Sequence, residues 1–348
     1  MPFDRIESKW IDVFQRTFEL SNVKSGDTVA ILSETQSRQL NVQLAELALL
    51  RIGARAFHVV MPTPPQVGKV PIRSTGASVA IGQLEPVVKA LASASMVVDC
   101  SVEGMMHAPE TPAILKAGGR ILYVSNEHPE LLERCVPDPA LKPKIARGIA
   151  LLNAAKDFRI RSDAGTDLTI DVSGAPCGGG WGACDTPGTL DHWPGGLVAC
   201  FPPAGAVNGT LVMDAGDLNL TFKRYLERPI TLRIERDYVV AIEGEGLDAE
   251  LMRSYFSAWG DREAYASSHV GWGMNPRARW DGLVMYDRGQ INGTEQRAFA
   301  GNFLYSTGAN EVAGRYTLGH FDLPIRNCTM HLDGRCIVER GVLQGELA

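Results

Sequence analysis

The sequence predicts an α/β N-terminal domain with a parallel sheet, followed by an α+β, strand-rich C-terminal domain. Two observations carry this expectation. Helix and strand patterns alternate through roughly the first 160 residues, as in a parallel sheet covered by helices. Beyond them come short β-rich runs separated by Gly, Asp and Pro turns, with one clear helix among them. The expected division is 1–160 and 161–348. A chain of 348 residues with 45% hydrophobic and 21% charged residues has ample core for this plan.

The elements follow in order. "RIESKWIDVFQRTFELS" places Ile6, Trp10, Val13, Phe14 and Phe18 at helical spacing, and "DTVAILSE" follows as a short apolar strand. A helix over 37–52, the strand "ARAFHVVM", a helix over 86–93 and the strand "SMVVDC" continue the alternation. "ETPAILKAGG" reads as a helix with a glycine stop, and "RILYVS" as the next strand. Helical residues at about 140–157 close the first half. In the second half, "TDLTIDVSG", "GTLVMDAG", "DLNLTF", "PITLRIERDYVVAIEG" and "CTMHLDGRCIVERGVL" read as strands. "LDGR" is an Asp-Gly hairpin turn, and "DAELMRSYFSAW" is the single clear helix.

Several function classes are excluded. A net charge of -6, a pI near 5.7 and the absence of any basic run argue against a nucleic-acid binder. The first residues lack the apolar stretch of a signal peptide, and no segment approaches the ~18 apolar residues that span a membrane. The seven cysteines are scattered and form no C-x-x-C, so neither a disulfide framework nor a structural zinc site is expected. The expected location is a reducing cytoplasm. No G-x-G-x-x-G follows the first strand and no P-loop occurs; "GAPCGGGWG" does not lead into a helix, which rules out a nucleotide-binding reading.

Candidate chemistry lies with the histidines. In "TLGHFDLPIRNC", His320 and Asp322 are two residues apart in a β-leaning run, so both would project from one face. The bland reading is a satisfied polar contact; the sharper one makes them two of three metal ligands. His269, in the glycine- and tryptophan-containing "SSHVGWGMNPRARW", would be the third. Two histidines and one carboxylate on one face of a divalent iron leave positions open for substrate and dioxygen. His107 in "GMMHAPE" follows a strand end, and His192 lies in "TLDHWPGG" beside Asp191 and Trp193. His58, His128 and His331 are better read as structural.

"SSHVGWGMNPRARW", "RAFAGNFLYSTGAN", "HFDLPIRNC" and "DHWPGG" resemble the characteristic blocks of 2,5-dihydroxypyridine 5,6-dioxygenases. These are non-haem iron enzymes similar in plan to the thermophilic-type metallo-aminopeptidases. The resemblance runs over most of the chain and is strongest at about 185–340. It implies Fe(II) held by His269, His320 and Asp322, with His107 and His192 in the pocket and Ser306 near the substrate. It implies ring opening of a hydroxylated N-heteroaromatic with insertion of both oxygen atoms and an N-formylmaleamate-type product. Since imidazole titrates near working pH, His192, steered by Asp191, is expected to take the phenolic proton, and His107 to hydrogen-bond substrate or oxygen. Trp193 and Trp272 are expected as pocket walls, with plain core packing as the alternative. A homo-oligomer is also expected, a hexamer being the candidate size.

One departure stands out. Where the resemblance implies a glutamate, twelve residues before the "DHW" histidine, this chain has Gly180. Losing a pocket carboxylate would open space and favour a bulkier or acidic substrate. The runner-up reading is a metallo-aminopeptidase, which needs two metals and several bridging carboxylates.

Overall fold

A computed structural model describes residues 5–65 and 79–348, and every structural statement below concerns these residues. Helix α1 (Ser8–Leu20) buries Trp10, Phe14, Thr17 and Phe18, one stripe at helical spacing. Then come β1 (Thr28–Glu34), α2 (Gln39–Ile52), β2 (Arg55–Met61), α3 (Glu85–Ala92) and β3 (Met96–Cys100). They are followed by α4 (Thr111–Lys116), β4 (Arg120–Val124), α5 (Pro129–Arg134) and α6 (Leu141–Ala154). The four strands are parallel, in the order β2-β1-β3-β4. Their side chains alternate between two cores. Val29, Ile31, Met96, Val98 and Leu122 face one, while Ala30, Leu32, Val97 and Ile121 face the other. A parallel sheet is stable only when both faces are covered in this way.

The second half begins with β5 (Asp157–Arg161), β6 (Asp167–Asp171) and β7 (Cys177–Gly180). Strand β8 (Leu190–Trp193) then returns to the first sheet and pairs in parallel with β4. The chain thus crosses back over the division near residue 160. The next strands are β9 (Leu197–Cys200), β10 (Val207–Met213), β11 (Leu218–Asn219), β12 (Arg224–Tyr225), β13 (Ile230–Glu235) and β14 (Tyr238–Glu243). Helix α7 (Leu247–Ala258), β15 (Ser267–Gly273), α8 (Thr294–Ala298), β16 (Phe303–Thr307) and β17 (Phe321–Ile325) follow. The hairpin β18 (Thr329–Leu332) and β19 (Arg335–Glu339) turns on Asp333 and Gly334, both at positive φ, and β20 (Val342–Leu343) ends the sheet.

Two large antiparallel sheets result, an eight-stranded β14-β13-β10-β6-β5-β18-β19-β20 and a five-stranded β17-β16-β15-β9-β7, beside the two-stranded β11-β12. The largest core joins them: Phe158 and Ile160 meet Trp272, Phe303, Phe321 and Leu323. Two local expectations are corrected. "DLNLTF" is a strand only at β11, because Asn219 accepts the Phe222 N–H and Lys223 turns at φ 51 toward β12. The His269 segment, absent from the strands expected above, is the central strand β15. Gly271 and Gly273 are needed there for close approach: an added Cβ would stand 1.9 Å from the Val198 carbonyl and 2.1 Å from that of Phe299, respectively.

Candidate metal centre

Strand alternation builds the site. Val270 and Trp272 of β15, Phe303 and Tyr305 of β16, and Phe321 and Leu323 of β17 point into the core between the two antiparallel sheets. The residues between them therefore face the other way. His269, Ser306 and Asp322 share that outer face, and His320 joins them just before β17. Ser306 and Asp322 are direct cross-strand partners. The ligand atoms of His269, His320 and Asp322 all lie within 4.8 Å of one another.

The geometry suits a metal rather than a closed polar cluster. Asp322 uses Oδ2 to accept from Arg297 Nε at 2.5 Å. Its Oδ1 is buried and accepts no hydrogen bond, although His320 Nε2 stands 3.2 Å away and His269 Nε2 3.5 Å away. An orphaned carboxylate oxygen facing two imidazole nitrogens is a costly arrangement unless a cation completes it. Behind the ligands, Ser268 donates its hydroxyl to the Ala309 carbonyl and lies 3.4 Å from His269 Nδ1. With that hydroxyl proton committed, the contact favours His269 Nδ1 as donor and leaves Nε2 its lone pair. Ser306 donates to the His269 carbonyl at 2.8 Å, strapping β15 to β16.

Burial alone would raise Asp322, but the charges of His320 and Arg297, with help from His269, hold it well below the usual carboxylate range. Burial pushes His269 down to about 3, aided by His320 and opposed by Asp322. Both shifts favour the unprotonated forms that bind metal.

His107 comes from the parallel sheet. It lies on the loop after β3, with its ring 6.0 Å from that of His320. The buried Asp99 shapes this loop, accepting from the Ser101 N–H and hydroxyl and from the Met105 N–H. The centre thus forms where the carboxyl end of the parallel sheet meets the outer face of the five-stranded sheet. His107 keeps a solvent-exposed face at that mouth. Crowding protein atoms and His320 lower its pKa, against the pull of Asp322. Phe201 lies 5.6 Å from the His269 ring and supplies an apolar wall.

The other expected residues stand differently. His192 is on β8 of the parallel sheet, with Nδ1 2.6 Å from the Pro194 carbonyl. Asp191 does not steer that ring. Its carboxylate accepts the N–H groups of Trp181, Gly182 and His192 and is spent on the backbone. Trp193 is fully buried, 4.9 Å from Phe14, and donates to the Cys135 carbonyl; Trp272 is fully buried near Phe158. Both are core. Trp272 shares the inward face of Val270, opposite His269, and Trp193 packs in the core that covers one face of the parallel sheet. Gly180 opens no space, because an added Cβ would stand 1.9 Å from Asp191 Oδ1. His58 pairs with Glu46, and His128 caps α5 by accepting the Glu130 N–H. Arg297 was missed, although it opens the block "RAFAGNFLYSTGAN" and a cation beside a metal carboxylate is a recognisable signal.

The model of the family described as 2,5-dihydroxypyridine 5,6-dioxygenase matches residues 9–345. A 2,5-dihydroxypyridine 5,6-dioxygenase of Pseudomonas putida is 37% identical over 334 residues, covering 94% of each chain. The solved structure of the 2,5-dihydroxypyridine dioxygenase of Pseudomonas putida KT2440 superposes with a TM-score of 0.91 at 35% identity, over 99% of this chain and 100% of that one. Wild-type AmpT from Thermus thermophilus superposes with a TM-score of 0.58 at 15% identity, over 95% of this chain and 99% of that one, a likeness of fold alone.

Proposed function

The chain belongs to the 2,5-dihydroxypyridine 5,6-dioxygenase family, and from that premise we propose that it opens the ring of 2,5-dihydroxypyridine, or a closely related hydroxylated N-heteroaromatic, at a single ferrous centre. The observation that carries the metal reading is the orphaned Asp322 Oδ1 between two imidazole Nε2 atoms. His269, His320 and Asp322 would hold the ion. When bound there, Fe(II) would supply the electronic coupling that lets dioxygen react with an aromatic ring despite their spin mismatch.

The chain's own residues supply the rest. His192 would take the substrate's hydroxyl proton on Nε2, because the short Nδ1 contact with a carbonyl fixes Nδ1–H and leaves Nε2 basic. His107, at the mouth, would hydrogen-bond the ring substituents or the incoming oxygen. The Arg297 guanidinium holds the Asp322 carboxylate in one orientation and balances its charge. Phe201 keeps water from the metal face. An N-formylmaleamate-type product follows from cleavage with both oxygen atoms retained. A cytoplasmic setting fits unpaired cysteines and the lack, among the described residues, of a helix long and apolar enough to cross a membrane.

The peptidase alternative is not favoured. It needs two metals about 3.5–4 Å apart, whereas the described residues offer one ligand group with one carboxylate. The test is anaerobic loading with Fe(II), followed by oxygen uptake with a panel of dihydroxylated pyridines and pyridine carboxylates. Oxygen uptake with 2,5-dihydroxypyridine supports the proposal, and peptide hydrolysis without oxygen uptake would replace it.

A further inference from the structure

Glu127 is fully buried just beyond β4, far in sequence from the metal ligands. It makes an unusual set of contacts. One carboxylate oxygen accepts the N–H groups of Gly293 and Thr294, at 2.8 and 2.9 Å, and the other accepts that of Asn292 at 2.8 Å. These three N–H groups lead into α8. Two neighbours at alternate positions grip the same segment: Tyr123 accepts from the Asn292 side chain at 3.2 Å, and the Ser125 hydroxyl meets that of Thr294 at 2.6 Å. Helix α8 then carries Arg297 to Asp322 Oδ2.

We infer that Glu127 is a positioning residue for the metal centre, holding α8 so that Arg297 fixes the orientation of Asp322. The inference rests on the ferrous reading of the triad. Its physical basis is that an acceptor-only carboxylate satisfies three converging N–H donors, which an amide cannot do. Burial raises the Glu127 pKa, and the three N–H groups oppose that rise. Since α8 is a short helix, its place depends on such anchors rather than on its own length. Moving α8 changes the Arg297 contact, and with it the freedom of Asp322 to rotate Oδ1 away from the two imidazoles. The clamp also couples the parallel sheet, which supplies His107, to the sheet that supplies the ligands.

The test uses Glu127→Gln in the full-length protein, with Co(II) as a spectroscopic stand-in for Fe(II). The variant places an amide N–H against the Asn292 N–H. Co(II) affinity is expected to fall about tenfold, the low end for residues behind metal ligands, and the visible ligand-field bands should shift. In a double-mutant cycle with Arg297→Lys the two effects should be non-additive, because both act through the same contact. Unchanged affinity and bands with only a lower melting temperature would overturn the inference and make Glu127 a purely structural anchor. Additive effects would overturn it too. Should Glu127→Gln fail to fold, Ser125→Ala removes one latch and no charge; it must weaken Co(II) in the same direction, and unchanged binding would count against the clamp. Failure of the parent protein to bind Co(II) or Fe(II) would instead defeat the ferrous reading and this inference together.

Discussion

Asp322 has two oxygens with different employment: one is held by Arg297 and the other has no donor. That asymmetry predicts the outcome of substitution. Asp322→Asn and His320→Ala should each lose retained iron, measured by metal analysis after anaerobic loading and desalting, while the circular-dichroism spectrum stays that of the parent. Both side chains lie on the outer face of their sheet and fill little core, so the fold does not depend on them. Iron bound at the parent level in either variant would remove that residue from the ligand set. His192 makes a different prediction, because it stands on another sheet. His192→Ala should keep its iron yet lose roughly 10²–10⁴ in turnover, the usual size of a general acid–base contribution. Intact turnover would make it only a partner of the Pro194 carbonyl. The pairing of His320 with Asp322 was legible in sequence, since i and i+2 in extended chain share a face, whereas the approach of His269 depends on how β15 pairs with β16. The role of Asp191 was not, because adjacency to a histidine says nothing about which backbone groups converge on its carboxylate.

At the scale of elements, the alternation of the first half was readable because each helix and strand carries its own period and its own stop, such as Gly53 at φ 86 after α2. The return of β8 to the parallel sheet was hidden, since four residues between glycine-rich turns carry no topological signal. Its join with β7 has a testable consequence. Gly180 lies on β7 against the Asp191 carboxylate of β8, and no left-handed φ is involved. Even alanine there displaces an anchor that holds three N–H groups. Gly180→Ala should therefore cost about 1–3 kcal/mol, in the range of overpacking changes, measured by denaturant unfolding. This replaces the expectation that glycine simply vacates a substrate subsite. Unchanged stability together with altered substrate preference would restore the earlier view.

For the whole molecule, His269, His320 and Asp322 lie together at the seam between a parallel sheet and an antiparallel one, and His107 reaches it from the other side. The fold class was predictable from periodicity, and the seam was not, because it depends on how the two halves dock. The central claim is that this seam holds one iron and performs oxygen insertion. The most direct measurement is turnover of 2,5-dihydroxypyridine under ¹⁸O₂ by anaerobically iron-loaded protein, with iron counted per chain and the product analysed by mass spectrometry. The account predicts one iron per chain and a ring-opened product carrying both labelled oxygens, with none formed by Asp322→Asn. A product labelled only from water, or turnover that survives removal of iron, would contradict it.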